Sequence, residues 1–150
     1  MVCGKINKDK IDLLKKIFLM NRNKKTVWVF GNPDLETDSL PLHLAEHLAL
    51  DLPNIEFKTK DPLEEWDDMP QDELIILDTI INISGIKIFD KIEDFSLAPS
   101  LTMHDFDLLS QLNFLKKLGK LPPKIKIVGL GPTIDEKEAL EKLKSIFLSL

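Results

Sequence analysis

Two carboxylates and one imidazole occupy positions in this sequence where chemistry is possible: Asp38, Asp78 and His104. Asp38 closes the segment Gly31-Asn32-Pro33-Asp34-Leu35-Glu36-Thr37-Asp38, which follows the β-branched and aromatic run Thr26-Val27-Trp28-Val29-Phe30. Asp78 ends the apolar run Leu74-Ile75-Ile76-Leu77, and His104 stands at the start of a leucine-bearing stretch. In parallel α/β sheets, functional groups gather outside the carboxyl ends of the strands. All three residues are predicted there. Together they offer hard oxygen and borderline nitrogen donors, suited to nickel, zinc or manganese in an incomplete shell that leaves room for another group. Each also has a plainer reading. Asp38 stands where a helix N-cap belongs. Asp78 can satisfy the orphan amides of a neighbouring loop, and His104 can be a residue of a helix start with no ligand duty.

Other candidates are weaker. His43 and His47 lie four residues apart and share one face of a helix, a spacing that can bind zinc. The stretch His43-Leu44-Ala45-Glu46-His47 nevertheless lacks the glutamate directly after the first histidine that zinc proteases use. With Leu44 and Leu48 on the apolar side, the two rings are expected on or beside the solvent face. Trp66, inside an acidic segment, reads either as the anchor of a solvated loop or as part of a docking patch for a large partner.

These residues must be positioned by alternating elements. Apolar residues at Ile11, Leu14, Ile17 and Phe18 with lysines between them predict an amphipathic helix over 8–20. Residues 26–30 predict a buried strand that runs into the Gly31-Asn32-Pro33 loop. Asp38 or Ser39 then caps a helix with Leu40, Leu44, Ala45 and Leu48 on its apolar side, ending near Pro53. A short strand is expected at 55–58, and a surface loop over 61–72, which is crowded with acidic residues and holds two prolines. Four consecutive apolar residues at 74–77 are the mark of a strand covered on both faces. Segments 86–89 and 94–97 read as short strands, paired as a hairpin, and 79–84 has no clear pattern. A helix is predicted from His104 or Asp105 to Leu118 with Gly119 beyond its end, then a strand over 124–130 and a helix over 135–150. Strand and helix alternate, which predicts one α/β domain over 1–150: a three-layer α/β/α sandwich around a mostly parallel central sheet, with the helix at about 8–20 as an N-terminal addition.

Composition narrows the function classes. A chain of 150 residues with 43% hydrophobic residues can bury one real core. The net charge is -5, and lysines and arginines are interleaved with acidic residues. That balance argues against nucleic acid, which needs a concentrated positive face. No apolar run approaches the roughly 20 residues that span a bilayer, so no membrane partner is expected. The single cysteine, Cys3, cannot form an internal disulfide. No secretory leader is apparent, because the first lysines are followed by an amphipathic stretch. A cytoplasmic setting is expected.

Taken in order, these segments resemble the hydrogenase maturation endopeptidases. In that family a first strand runs into Gly-Asn-x-Leu-x-x-Asp-(Asp or Glu)-x-x-Gly, and here Gly31 to Pro41 keeps the register, with Asp38 at the first carboxylate ligand position. A buried strand ending in Asp is matched by Leu74 to Asp78, with Gly85 beyond it. The approach Ser100-Leu101-Thr102-Met103-His104 matches a Ser/Thr-rich lead into a histidine that opens a helix, and Gly129-Leu130-Gly131-Pro132 matches a closing Gly-x-x-Pro. The match covers roughly residues 24 to 150. Thr37 replaces an Asp of the family pattern, Val29 a Gly and Pro41 a Gly, which marks a divergent member.

The resemblance implies an endopeptidase that removes the C-terminal extension of the [NiFe] hydrogenase large-subunit precursor. Asp38, Asp78 and His104 would serve both as ligands to the nickel already carried by that substrate and as the catalytic site. It implies no permanently bound cofactor, although other divalent metals can enter such a site. Neither Cys3 nor Ser100 has a convincing base beside it, so hydrolysis would use water activated by a carboxylate or a metal ion. The alternative is a non-catalytic maturation chaperone or checkpoint protein that binds a hydrogenase subunit.

Overall fold

The structure, a computed structural model, describes residues 7–22, 24–81, 83–96 and 103–150; the side chains of 20–22, 96 and 103–106 are outside that description. The elements in chain order are α1 (Lys8–Arg22), β1 (Lys25–Val29), α2 (Leu40–Asp51), β2 (Ile55–Thr59), β3 (Glu73–Thr79), β4 (Ile86–Phe89), α3 (Ile92–Ser96), α4 (Met103–Lys117), β5 (Lys124–Leu130) and α5 (Glu136–Leu148). The strands form one sheet in the order β2-β1-β3-β5-β4. The pairs β1–β2, β1–β3 and β3–β5 are parallel, and β4 joins β5 antiparallel at one edge. This is the expected α/β/α sandwich with a mostly parallel sheet.

Strand side chains alternate between faces, and the two cores follow that alternation. Trp28, Phe30, Leu74, Ile76 and Ile127 pack with Phe95 of α3 and with Leu108, Leu112 and Leu115 of α4. Their neighbours Val27, Val29, Ile75, Leu77, Val128 and Leu130 pack with Leu44 and Leu48 of α2 and Leu143 and Phe147 of α5. Central strands buried on both faces read as continuous apolar runs for this reason. Each fully buried Leu, Ile or Phe contributes about 1.5–3 kcal/mol, so β1, β3 and β5 form the rigid part of the scaffold.

The ends of the helices follow from local chemistry. Asp135 caps α5 by accepting the Glu138 N–H at 3.0 Å. Beyond α4, Gly119 adopts a positive φ of 66°, and the Lys120 N–H returns to the Leu115 carbonyl at 3.0 Å, closing the helix.

One segment corrects the sequence reading. Residues 94–97 were expected as a strand paired with 86–89, but 92–96 form the short helix α3. Ile92 and Phe95 are both buried and three residues apart, which is a helical spacing, and Glu93 and Asp94 occupy the first turn, where the helix dipole favours acids. The partner of β4 is β5. The unplaced stretch after Thr79 begins as a continuation of the sheet, with Ile80 buried and its N–H donating to the Leu130 carbonyl at 2.8 Å.

Candidate functional site

Asp38 lies in the β1–α2 loop, half-buried, two residues before α2. Its Oδ2 accepts the Asn32 N–H at 3.0 Å, and its own backbone carbonyl accepts from the same N–H at 3.2 Å. The Asp38 N–H donates to the Leu35 carbonyl at 2.9 Å. Segment 32–38 is thus a closed loop with the carboxylate drawn back to its beginning. Its other end is packed tightly: a Cβ on Gly31 would lie 2.7 Å from the Asp38 carbonyl oxygen. Glycine is required at 31 by close backbone approach.

The capping alternative for Asp38 is settled by this geometry. The N-cap of α2 is Ser39, whose hydroxyl turns back to the Glu36 carbonyl at 3.3 Å and makes no cap bond. Pro41 sits in the first turn, where a missing N–H costs nothing. The Asp38 carboxylate therefore closes the loop onto Asn32, and the N-cap position falls to Ser39.

Asp78 is fully buried. The strand β3 runs one residue further than its apolar run, to Thr79, so Asp78 lies inside the strand's last turn of pleat instead of just after it. Its Oδ1 accepts the Thr79 N–H at 2.8 Å. In register it stands beside Gly129 of β5. On the other side, the Phe30 N–H donates to the Leu77 carbonyl at 2.9 Å, which continues the β1–β3 register to place Phe30 beside Asp78. By alternation with Leu74 and Ile76, Asp78 belongs to the sheet face that α3 and α4 cover.

His104 is the second residue of α4, the helix on that same face, and its side chain lies outside the described residues. Asp38 and Asp78 thus come to one carboxyl edge, from adjacent strands of the sheet, and α4 begins over the layer to which Asp78 belongs. Among the described residues no three histidine, cysteine, aspartate or glutamate side chains form a metal-holding group. His43 and His47 are both exposed on α2, as expected. Cys3 and Ser100 fall outside the described residues.

A cleft of about 490 Å³ opens beside the loop, lined by Gly31, Asn32, Thr59, Lys60, Asp61 and Asp107 among others. Asp107 is one helical turn beyond His104, so the start of α4 reaches this cleft. Lys60 follows β2 directly and its N–H donates to the Val29 carbonyl at 2.9 Å. Its ammonium lies 4.7 Å from the centroid of the Trp28 ring and pairs with Asp68. Lys60 first, and then Lys58 at 3.1 Å, hold the Asp68 carboxyl below the usual aspartate range. The hydrogen bond to Asp68 raises Lys58 in turn, against a smaller opposing effect of desolvation.

Trp66 resolves as an anchor. It is 8% exposed, its indole N–H donates to the Asp61 carbonyl at 2.9 Å, and its ring meets Trp28 edge-on with centroids 5.1 Å apart. The acidic loop is tied to the core by this aromatic, with Met69 packed against the same cluster. Thr59, Lys60 and Asp107 were missed in the sequence. The rule that picked out Asp38 and Asp78 applies to Thr59 and Lys60 as well, since they end and follow β2, but an alternating five-residue edge strand gives a far weaker apolar signal than β3.

No family model matches the chain, and no curated protein matches it. Solved structures do. The hydrogenase maturating endopeptidase HybD from E. coli superposes with a TM-score of 0.63 at 20% identity, over 83% of this chain and 93% of that one. An endopeptidase from Escherichia coli gives 0.64 at 23% identity, over 83% and 90%. A hydrogenase 2 maturation peptidase from a Thaumarchaeota archaeon gives 0.56 at 19% identity, over 84% and 97%. The chain has the fold of these peptidases, in agreement with the order of its motifs. At such identities the likeness establishes architecture, and activity must be argued from the site.

Proposed function

We propose that this protein is an endopeptidase that removes the C-terminal extension of a nickel-loaded [NiFe] hydrogenase large-subunit precursor in the cytoplasm. The observation that carries the reading is the delivery of Asp38 and Asp78 to one carboxyl edge of a sheet with the fold of maturation peptidases. The nickel is cargo of the substrate, and the protein holds no permanent metal in this reading. Asp38, Asp78 and His104 supply oxygen and nitrogen donors of the types that divalent nickel accepts. One carboxylate takes the proton of a water that attacks the scissile carbonyl and returns it to the leaving amine as the C–N bond breaks, a role within reach of general acid–base catalysis.

The exposed Thr37, where the family pattern has an acid, favours a second reading in which the protein binds the precursor as a chaperone without cutting it. One experiment separates the two. The protein is incubated with nickel-loaded and nickel-free precursor and the mass of the large subunit is measured. Shortening only of the nickel-loaded form supports the peptidase, and stable binding without shortening supports the chaperone. Asp38→Asn and His104→Ala are each expected to abolish shortening with the fold intact; full processing by either variant rules out the assigned site.

A further inference from the structure

The strand β2 is an edge. It pairs with β1 alone among the described residues, in parallel register from Lys25↔Ile55 to Val29↔Thr59. The Lys60 N–H donates to the Val29 carbonyl, and backbone groups of successive strand residues face opposite sides. Residues 56, 58 and 60 therefore direct their N–H and C=O groups to β1, whereas 55, 57 and 59 direct theirs outward. Ile55 already donates its N–H to the Leu52 carbonyl at 3.0 Å. Among the described residues that leaves the outward donors and acceptors of Phe57 and Thr59 as a short template for another extended chain. Thr59 is exposed, and the same residue lines the 490 Å³ cleft with Gly31 and Asn32. An added strand would thus run along β2 and deliver its end to the cleft beside the Asp38 loop.

We propose that β2 binds the C-terminal segment of the precursor as an added strand through the outward backbone groups of Phe57 and Thr59, placing the scissile region at the cleft. The inference rests on the peptidase reading and specifies how its substrate is held. Main-chain pairing of this kind is a recurring mode of peptide recognition. It needs an extended, proline-free segment and little side-chain identity.

Thr59→Pro tests it. Proline at 59 removes an outward N–H and leaves the bonds to β1 intact, a substitution that edge strands tolerate. With nickel-loaded precursor, Thr59→Pro is expected to raise KM about tenfold or more at unchanged kcat and unchanged Tm. Wild-type kinetics in a folded Thr59→Pro protein overturns the proposal. Should that variant misfold, hydrogen exchange of the wild-type complex decides, since the Phe57 and Thr59 amides must gain protection when the precursor binds and the absence of that gain overturns the proposal. If the wild type binds the precursor without cutting it, the peptidase reading fails separately. The dissociation constants of wild type and Thr59→Pro then test the edge, with equal values counting against it. If the wild type neither binds nor cuts the precursor, both fall.

Discussion

The carboxylate of Asp38 reaches back six residues to the backbone N–H of Asn32, with Oδ2 at 3.0 Å, while the carbonyl of Asp38 accepts from the same group. A candidate ligand is thereby also the latch of its own loop. The two roles separate by substitution. Asparagine keeps an acceptor for Asn32 and loses the charge, so Asp38→Asn should melt near wild type while processing is lost. Asp38→Ala loses the latch as well and should cost about 1.5–3 kcal/mol of stability, the range for a hydrogen bond to a charged group. Urea unfolding of both variants checks this, and equal midpoints would show that the latch carries no stability.

Gly31 meets the other side of the same loop. A methyl group there would lie 2.7 Å from the Asp38 carbonyl oxygen and 3.2 Å from Leu42 Cγ. Backbone must move to admit it. Gly31→Ala is expected to destabilise the protein by about 1–3 kcal/mol and to reduce processing more than stability alone requires, because the loop that carries Asp38 is displaced. Thermal unfolding together with precursor shortening tests both parts.

How far the sequence carried the fold depended on burial. β1, β3 and β5 are covered on both faces, so Val27 to Phe30, Leu74 to Leu77 and Ile127 to Leu130 are apolar without interruption and could be read as strands directly. The edges were harder. The residues of α3 number only five, too few for periodicity to distinguish Ile92 and Phe95 on a helix from a strand, and β4 takes its direction from β5, far along the chain. At the site, Asp78 was visible because a carboxylate ending an apolar run is conspicuous. The division of labour between Asp38 and Ser39 was not, since both residue types favour N-caps and only the path of the loop back to Asn32 decides between them.

The helix α1 illustrates the gap between forming an element and packing it. Leu13, Leu14, Ile17, Phe18 and Leu19 remain between 46% and 62% exposed, although the stretch has the amphipathic spacing that predicted a helix. Among the described residues neither buried cluster includes a residue of α1, so the helix adds little to the stability of the sheet and its four covering helices. A chain beginning at Lys24 is expected to unfold at a denaturant midpoint close to that of the full chain. Chemical denaturation of the two chains measures the difference, and a larger loss would mean that α1 packs on the body in solution.

The acidic loop provides a pH-dependent contact whose sign can be worked out. Lys60 and Lys58 hold the Asp68 carboxyl below the usual aspartate range, the hydrogen bond from Lys60 being the largest cause. A carboxyl depressed in the folded state contributes stability that is fully present above its unfolded value, about 3.9, and is lost as pH falls through the lower folded value. The side chain of Asp68 is 40% exposed, and solvent screening keeps the contribution of such a pair to at most about 1 kcal/mol. Wild type should therefore exceed Asp68→Asn in stability at neutral pH, and the two unfolding curves should converge as pH falls below about 3.9. A difference that persists unchanged at lower pH would show that Asp68 acts through packing of the loop and not through its charge.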